Sequence, residues 1–250
     1  MSPRTHRVVD LALTIDRPAS IRISKSVRSG VQMYAKRLVQ ALFGIWVLPR
    51  LSTLVLLRMV TRDDAFRYSS ESIARIPGLR GVYQRQAFYR RTLNRCGHDV
   101  YFGWESVFSM TEAAVGDRAY IGRFCSIGYA EIGDEVMLAD HVQILSGGQE
   151  HGRSDTNISM HDQDQTYRCV CIGQGAWIGA GAIIMADVGE KAIIGAGAVV
   201  TRAIPANCIA VGVPARVIKP NNSGNEPTAC MQPDGQHAPR TTTLTPERTS

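Results

Sequence analysis

A chain of 250 residues, 44% apolar and 20% charged, has room for one folded domain with extensions, and this composition is that of an ordinary globular protein. The net charge of +6 is uneven: residues 1–110 hold 18 Lys and Arg against 7 Asp and Glu, and residues 111–250 hold 10 against 15. A basic front half without a helix-turn-helix or aromatic-interleaved reader motif argues against nucleic acid and for an anionic lipid surface.

Residues 1–30 show no periodicity and are expected to be flexible. Leu11–Ile15 is too short for a signal-peptide core, so no secretory signal is read there. Leu38–Val60 is the most apolar stretch in the chain, but Pro49 and Arg50 fall in its middle. A kink and a mid-bilayer charge both oppose a single span, so two half-length arms in an interfacial or re-entrant hairpin are expected. Lys36, Arg37, Arg58 and Arg62 flank the arms and suit lipid phosphates. Thr61-Arg-Asp-Asp64 reads as a capping box opening a helix that Pro77-Gly78 ends, and a second helix is expected over Val82–Leu93. Residues 31–99 thus form a basic helical segment, hydrophobic hairpin and cap. An end cap is required because the first coil of a solenoid otherwise exposes its core.

From Val115 one pattern recurs about every six residues. Its first block is Val115-Gly116-Asp117, Ile121-Gly122-Arg123, Ile127-Gly128-Tyr129 and Ile132-Gly133-Asp134. It resumes with Ile172-Gly173-Gln174, Ile178-Gly179-Ala180, Val188-Gly189-Glu190 and Ile194-Gly195-Ala196. Six residues make one short strand and one bend, so three units close a triangular coil with each Ile or Val pointing inward. The phase slips by two at Met185-Ala186-Asp187-Val188, which predicts a shortened corner. The repeat domain is placed at residues 100–219. Within it, residues 146–171 break the pattern as a polar insertion holding His151 and His161, and an insertion of that length in a compact domain is usually functional. Residues 220–250 read as a disordered tail. Six cysteines (96, 125, 169, 171, 208, 230) lack a disulfide-like framework, which predicts reduced thiols and a cytoplasmic protein.

These repeats resemble the hexapeptide-repeat acyltransferases, which fold as a left-handed parallel β-helix. Ile194-Gly-Ala-Gly-Ala-Val-Val-Thr201-Arg202-Ala-Ile-Pro205 and Val211-Gly-Val-Pro-Ala-Arg216-Val-Ile-Lys219 resemble the last coils of the sugar O-acetyltransferases. Ala74-Arg-Ile-Pro-Gly78, Ala87-Phe-Tyr-Arg-Arg91 and Ser146-Gly-Gly-Gln-Glu-His151 resemble acyltransferases of exopolysaccharide clusters. The resemblance covers about residues 60–219. It implies transfer of an acetyl group from acetyl-CoA to a sugar hydroxyl by a homotrimer.

Residue by residue, the resemblance makes His151 the general base, a task that suits a group titrating near neutral pH. Asp155 or Glu150 would orient it. It places the pantetheine arm on the backbone at Ala180 and Ala196, with Thr201 and Arg202 as the next contacts. Arg216 and Lys219 would meet the nucleotide phosphates, and Trp177 would lie beside the groove. Where related enzymes carry an acceptor-orienting Asn, this chain has Cys125-Ser126. The even spacing of His141, His151 and His161 invites a zinc site, but the closely spaced His pair of the carbonic anhydrases sharing this fold is missing, so no metal is expected. A non-catalytic β-helix scaffold for a membrane-bound polysaccharide assembly is the alternative. The His151 loop with Arg216 and Lys219 argues for the enzyme.

Overall fold

The computed structural model describes residues 30–61, 64–148, 165–220 and 241–243, with residues 159 and 163. Four helices precede the repeats: α1 (Gly30–Trp46), α2 (Leu48–Thr61), α3 (Asp64–Ala74) and α4 (Gly78–Thr92). The expected hairpin is not formed. Val47 alone leaves the helix; its N–H donates to Phe43 O (3.1 Å), and its carbonyl accepts the N–H of Leu51 (3.1 Å). Pro49 falls in the first turn of α2, where its missing N–H costs little. The helical stretch therefore runs on past Pro49.

The repeats form a three-sided parallel β-solenoid. Its first face stacks β1 (Arg95–Cys96), β4 (Ala114–Val115), β7 (Ala130–Ile132) and β11 (Val170–Ile172). The second stacks β2 (Tyr101–Phe102), β5 (Tyr120–Ile121), β8 (Met137–Leu138), β12 (Trp177–Ile178), β14 (Ile193–Ile194) and β16 (Cys208–Val211). The third stacks β3 (Val107–Phe108), β6 (Ser126–Ile127), β9 (Gln143–Ile144), β13 (Ile183–Ile184) and β15 (Val199–Val200). The first coil thus starts at Arg95, ahead of the boundary read from sequence. Beyond β11 the first face narrows to single bridges, Ile172 to Val188 and Val188 to Ile204. The shortened corner at residues 185–188 leaves room for no more.

Inward residues stack coil on coil: Val115, Ile132, Ile172, Val188 and Ile204 on the first face, with Ile121, Leu138, Ile178 and Ile194 on the second, all buried. Two devices turn the corners. Glycine permits close approach, since a Cβ on Gly179 would lie 2.5 Å from the backbone nitrogen of Ala196. Aspartate satisfies corner amides: Asp117 Oδ1 accepts the N–H of His98 (2.6 Å), and Asp134 Oδ1 that of Asp117 (2.7 Å). Several non-glycine corners, including Arg118 (φ 55°) and Lys191 (φ 52°), adopt the left-handed conformation, at about 1–2 kcal/mol each.

The N-terminal end is closed by α3 and α4: Tyr89 of α4 packs on Phe102 and Phe108 of the first coil, and Phe88 beside it stacks on Phe66 of α3. Tyr89 Oη and Ser70 Oγ share a hydrogen bond of 2.9 Å, and burial pushes the phenol up to about 12. Arg85 is 1% exposed, and its guanidinium donates to Phe102 O (3.1 Å), Ile76 O (2.7 Å) and Ala74 O (3.2 Å). Burial lowers its pKa. The required cap therefore rests on a cation of α4 that ties the end of α3 and the α3–α4 link to the first coil.

At the other end β17 (Arg216–Pro220) runs antiparallel on β16. Two expectations are corrected. The tail is not wholly structureless: β18 (Thr241–Thr243) pairs antiparallel with β10 (Thr166–Arg168), adding β-branched residues to an open strand edge. The thiols at 96, 125, 169 and 171 are free, but Cys208, buried in β16, is disulfide-bonded.

Candidate functional site

The corner between the second and third faces carries the most informative geometry. Arg123, Asp140, Ala180 and Ala196 stack there in successive coils. The N–H of the following residue donates to the corner carbonyl of the coil before: His141 to Arg123 (2.8 Å), Gly181 to Asp140 (3.0 Å) and Gly197 to Ala180 (2.8 Å). Asp140 reaches back so that Oδ1 accepts the Arg123 N–H (2.8 Å) while Oδ2 meets its guanidinium (2.6 Å). That hydrogen bonding holds the Asp140 carboxyl below its usual range. In the next two coils alanine replaces aspartate, so the N–H groups of Asp140 and Ala180 lack that carboxylate, and nothing among the described residues accepts the N–H of Ala180 or Ala196. Both residues are exposed. Two stacked amides, about 4.8 Å apart by strand spacing, are left open to an acceptor from outside the chain.

Other predicted donor-side residues share the C-terminal coils. Thr201 and Arg202 follow β15 and are exposed. In β17 the register shifts between Ile209 and Ala210, leaving one unpaired residue. The bulge reverses the strand's alternation, so Arg216 and Lys219 share a face. Both are exposed.

Trp177 is 51% exposed on the second face. It belongs to an outward ladder that sequence reading missed: Tyr101, Tyr120, Met137, Trp177 and Ile193 are in register across adjacent coils. Tyr101 and Tyr120 stack at 4.8 Å. The signal was present, since each of these residues immediately precedes an inward aromatic or aliphatic one.

The acceptor-side prediction separates. Cys125 is buried, its thiol donating to Ala139 O (3.2 Å), and burial pushes its pKa up to about 11. Ser126, in β6, is exposed and is the member of the pair open to a ligand. His141 is exposed and stacks on Phe124 at 4.7 Å.

Glu150, His151, Asp155 and His161 lie outside the described residues. The feet of their insertion are bonded to neighbouring coils. Arg168 N–H donates to Ser146 O (2.8 Å), and Ser146 Oγ accepts the N–H of Tyr129 (2.9 Å). Arg168 Nη2 pairs with Asp187 (2.6 Å). These feet follow β9, at the corner between the third and first faces. The open amides stand on a different edge of the prism, of the order of 15–20 Å away across one face at about 3.3 Å per residue. Among the described residues no group of three or more His, Cys, Asp or Glu could hold a metal ion.

No protein-family model matches the chain. Curated relatives do. The chain is 38% identical over 94 residues to galactoside O-acetyltransferase of Escherichia coli K12, covering 36% of this chain and 44% of that one. It is 30% identical over 173 residues to serine acetyltransferase of Bacillus pumilus, covering 64% of this chain and 72% of that one. The chain spans about half the length of the first curated relatives it matches. Among solved structures, a maltose O-acetyltransferase from Clostridium difficile 630 superposes with a TM-score of 0.57 at 27% identity, covering 66% of this chain and 91% of that one. With the repeat geometry, the serine acetyltransferase match across most of its length establishes that this chain belongs to the hexapeptide-repeat acyltransferases, left-handed parallel β-helix proteins.

Proposed function

We propose that the protein transfers an acetyl group from acetyl-CoA to a sugar hydroxyl in the synthesis of a polysaccharide or envelope glycan. The observation that carries this reading is the pair of unsatisfied corner amides at Ala180 and Ala196, beside an exposed tryptophan and below a C-terminal strand with two cations on one face. A pantetheine arm has amide carbonyls that accept such N–H groups, and its nucleotide phosphates complement Arg216 and Lys219. His151 takes the acceptor hydroxyl's proton as the oxygen attacks the thioester carbonyl. The tetrahedral intermediate then expels the CoA thiolate, which the imidazolium reprotonates. The names of the related sugar O-acetyltransferases support a sugar acceptor.

The loop that carries His151 and the open amides rise from different edges of one chain, which favours a site completed between chains. A closed homotrimer repeats such a contact three times with nothing left open, and the outward ladder through Trp177 offers an apolar face for it. Reliance on acetyl-CoA suits a cytoplasmic position at the inner face of the bacterial plasma membrane.

The amides give a direct test. At Ala196 an aspartate would cover the Ala180 N–H just as Asp140 covers that of Arg123, and its charge would repel the donor. Wild type should be stabilised by acetyl-CoA in a thermal-shift measurement and release CoA thiol when a galactoside or maltose is added. Ala196→Asp should keep its own melting temperature yet lose most of the acetyl-CoA stabilisation. An unstabilised wild type that releases no thiol with any sugar tested would overturn the reading, and a non-catalytic scaffold would then take its place.

A further inference from the structure

We infer that the outward face of α1 and α2 docks in the plane of an anionic phospholipid bilayer and holds the solenoid against it by its N-terminal end. The inference rests on the glycan-acetylation reading only for why such docking is useful, since an acceptor assembled on a membrane lipid would then be presented to a tethered enzyme.

Leu38–Leu57 is long and apolar enough to cross a membrane, yet its two sides differ. Gly44, Val47 and Leu54 are buried. At Gly44 the guanidinium of Arg91 packs so close that a Cβ would lie 2.9 Å from Nη2. Phe43 stacks on Tyr83 of α4 at 5.4 Å, and Arg50 Nη1 donates to Ser72 Oγ of α3 (3.0 Å). A helix with one side fixed to a polar cap cannot be ringed by lipid, because the charged residues of α3 and α4 would enter the hydrocarbon with it. The span is thereby excluded.

The opposite side carries Leu38, Leu42, Ile45, Val55, Leu56 and Met59, spaced mostly by three or four residues. All are exposed, Leu42 at 58%, Leu56 at 64% and Met59 at 81%. An apolar stripe of this length is not left bare in water without a partner. Charge selects which partner. Residues 30–61 contain four Lys or Arg and no Asp or Glu, and residues 31–99 hold 12 Lys and Arg against 4 Asp and Glu. A second copy of this chain laid on the same face would bring like charges together, whereas an anionic headgroup layer neutralises them. Beside the stripe, the exposed Trp46 lies under the Arg80 guanidinium at 4.7 Å. An amphipathic ring with a cation above it suits the boundary between headgroups and acyl chains.

The test is vesicle co-sedimentation of the full chain and of a Leu42→Asp/Leu56→Asp variant, using phosphatidylcholine vesicles with and without phosphatidylglycerol. Wild type should pellet with the anionic vesicles, at least about 10-fold more weakly with the neutral ones and in high salt, and alkaline carbonate should extract it. The double variant should lose binding at least about 10-fold while its melting temperature and acetyl-CoA stabilisation are retained. No sedimentation of wild type, equal binding by the variant, or resistance to carbonate would each overturn the inference. So would a variant of smaller oligomeric mass with unchanged vesicle binding, since the stripe would then be an interface between copies. Vesicle binding is read without any acetyl transfer, so loss of the catalytic reading would leave this result standing, and the reverse holds too.

Discussion

His151→Ala is expected to lower turnover about 10²- to 10⁴-fold while leaving acetyl-CoA stabilisation and melting temperature unchanged. The argument is chemical. A sugar hydroxyl is a poor nucleophile until its proton is taken, and a neutral imidazole can take it. The same role fixes a pH dependence. Protonation of the imidazole removes the base, so kcat/KM of the wild type should fall towards acid pH, and the residual activity of the variant should lack that acid limb. Full turnover in His151→Ala would end the assignment and move the test to His161.

Arg85→Leu should destabilise the protein by about 3 kcal/mol, read as a fall of the order of 6–12 °C in melting temperature. The carbonyls of Phe102, Ile76 and Ala74 all accept from this one guanidinium. Leucine fills much of the volume but donates nothing. The Ala74 carbonyl keeps the N–H of Glu105 at 3.0 Å, whereas Phe102 and Ile76 lose a buried partner, at about 1–3 kcal/mol each. Arg85→Lys should recover part of the loss because an ammonium still donates. An unchanged melting temperature in Arg85→Leu would mean that the helical cap does not unfold with the coils.

Much of the solenoid is legible in the sequence, because each inward aliphatic is followed by a small residue that the next coil's backbone requires. Ile178-Gly179 and Ile194-Gly195 carry both halves of that signal, and the slip before Val188 foretells the narrowed first face. The cap is legible only as a necessity. Nothing local marks Arg85 as buried, since its three partners are carbonyls brought together from the end of α3, the α3–α4 link and the first coil. A proline's effect depends on its place in a helix, and Pro49 falls in the first turn of α2, where it does not make the hairpin that its mid-stretch position predicts. On the donor edge, the family resemblance gave the positions of Ala180 and Ala196. Their physical meaning appears only beside Asp140, whose carboxylate covers the amide one coil back, as an alanine at 196 cannot cover that of Ala180. The outward ladder through Tyr120 and Met137 is not legible in the six-residue period, because that period marks the inward residue of each pair.

The central claim, acetyl transfer at a site shared between chains, is tested most directly by mixing two inactive variants. His151→Ala retains the open amides, and Ala196→Asp retains the His151 loop. Each should be close to inactive alone, and each should form the trimer by light scattering. Co-expressed or refolded together, they should regain thiol release from acetyl-CoA with a sugar acceptor, because some interfaces pair an intact loop from one chain with intact amides from its neighbour. Mixed trimers that stay as inactive as their parents would place loop and amides of the same chain in one site, and the inter-chain account would be wrong.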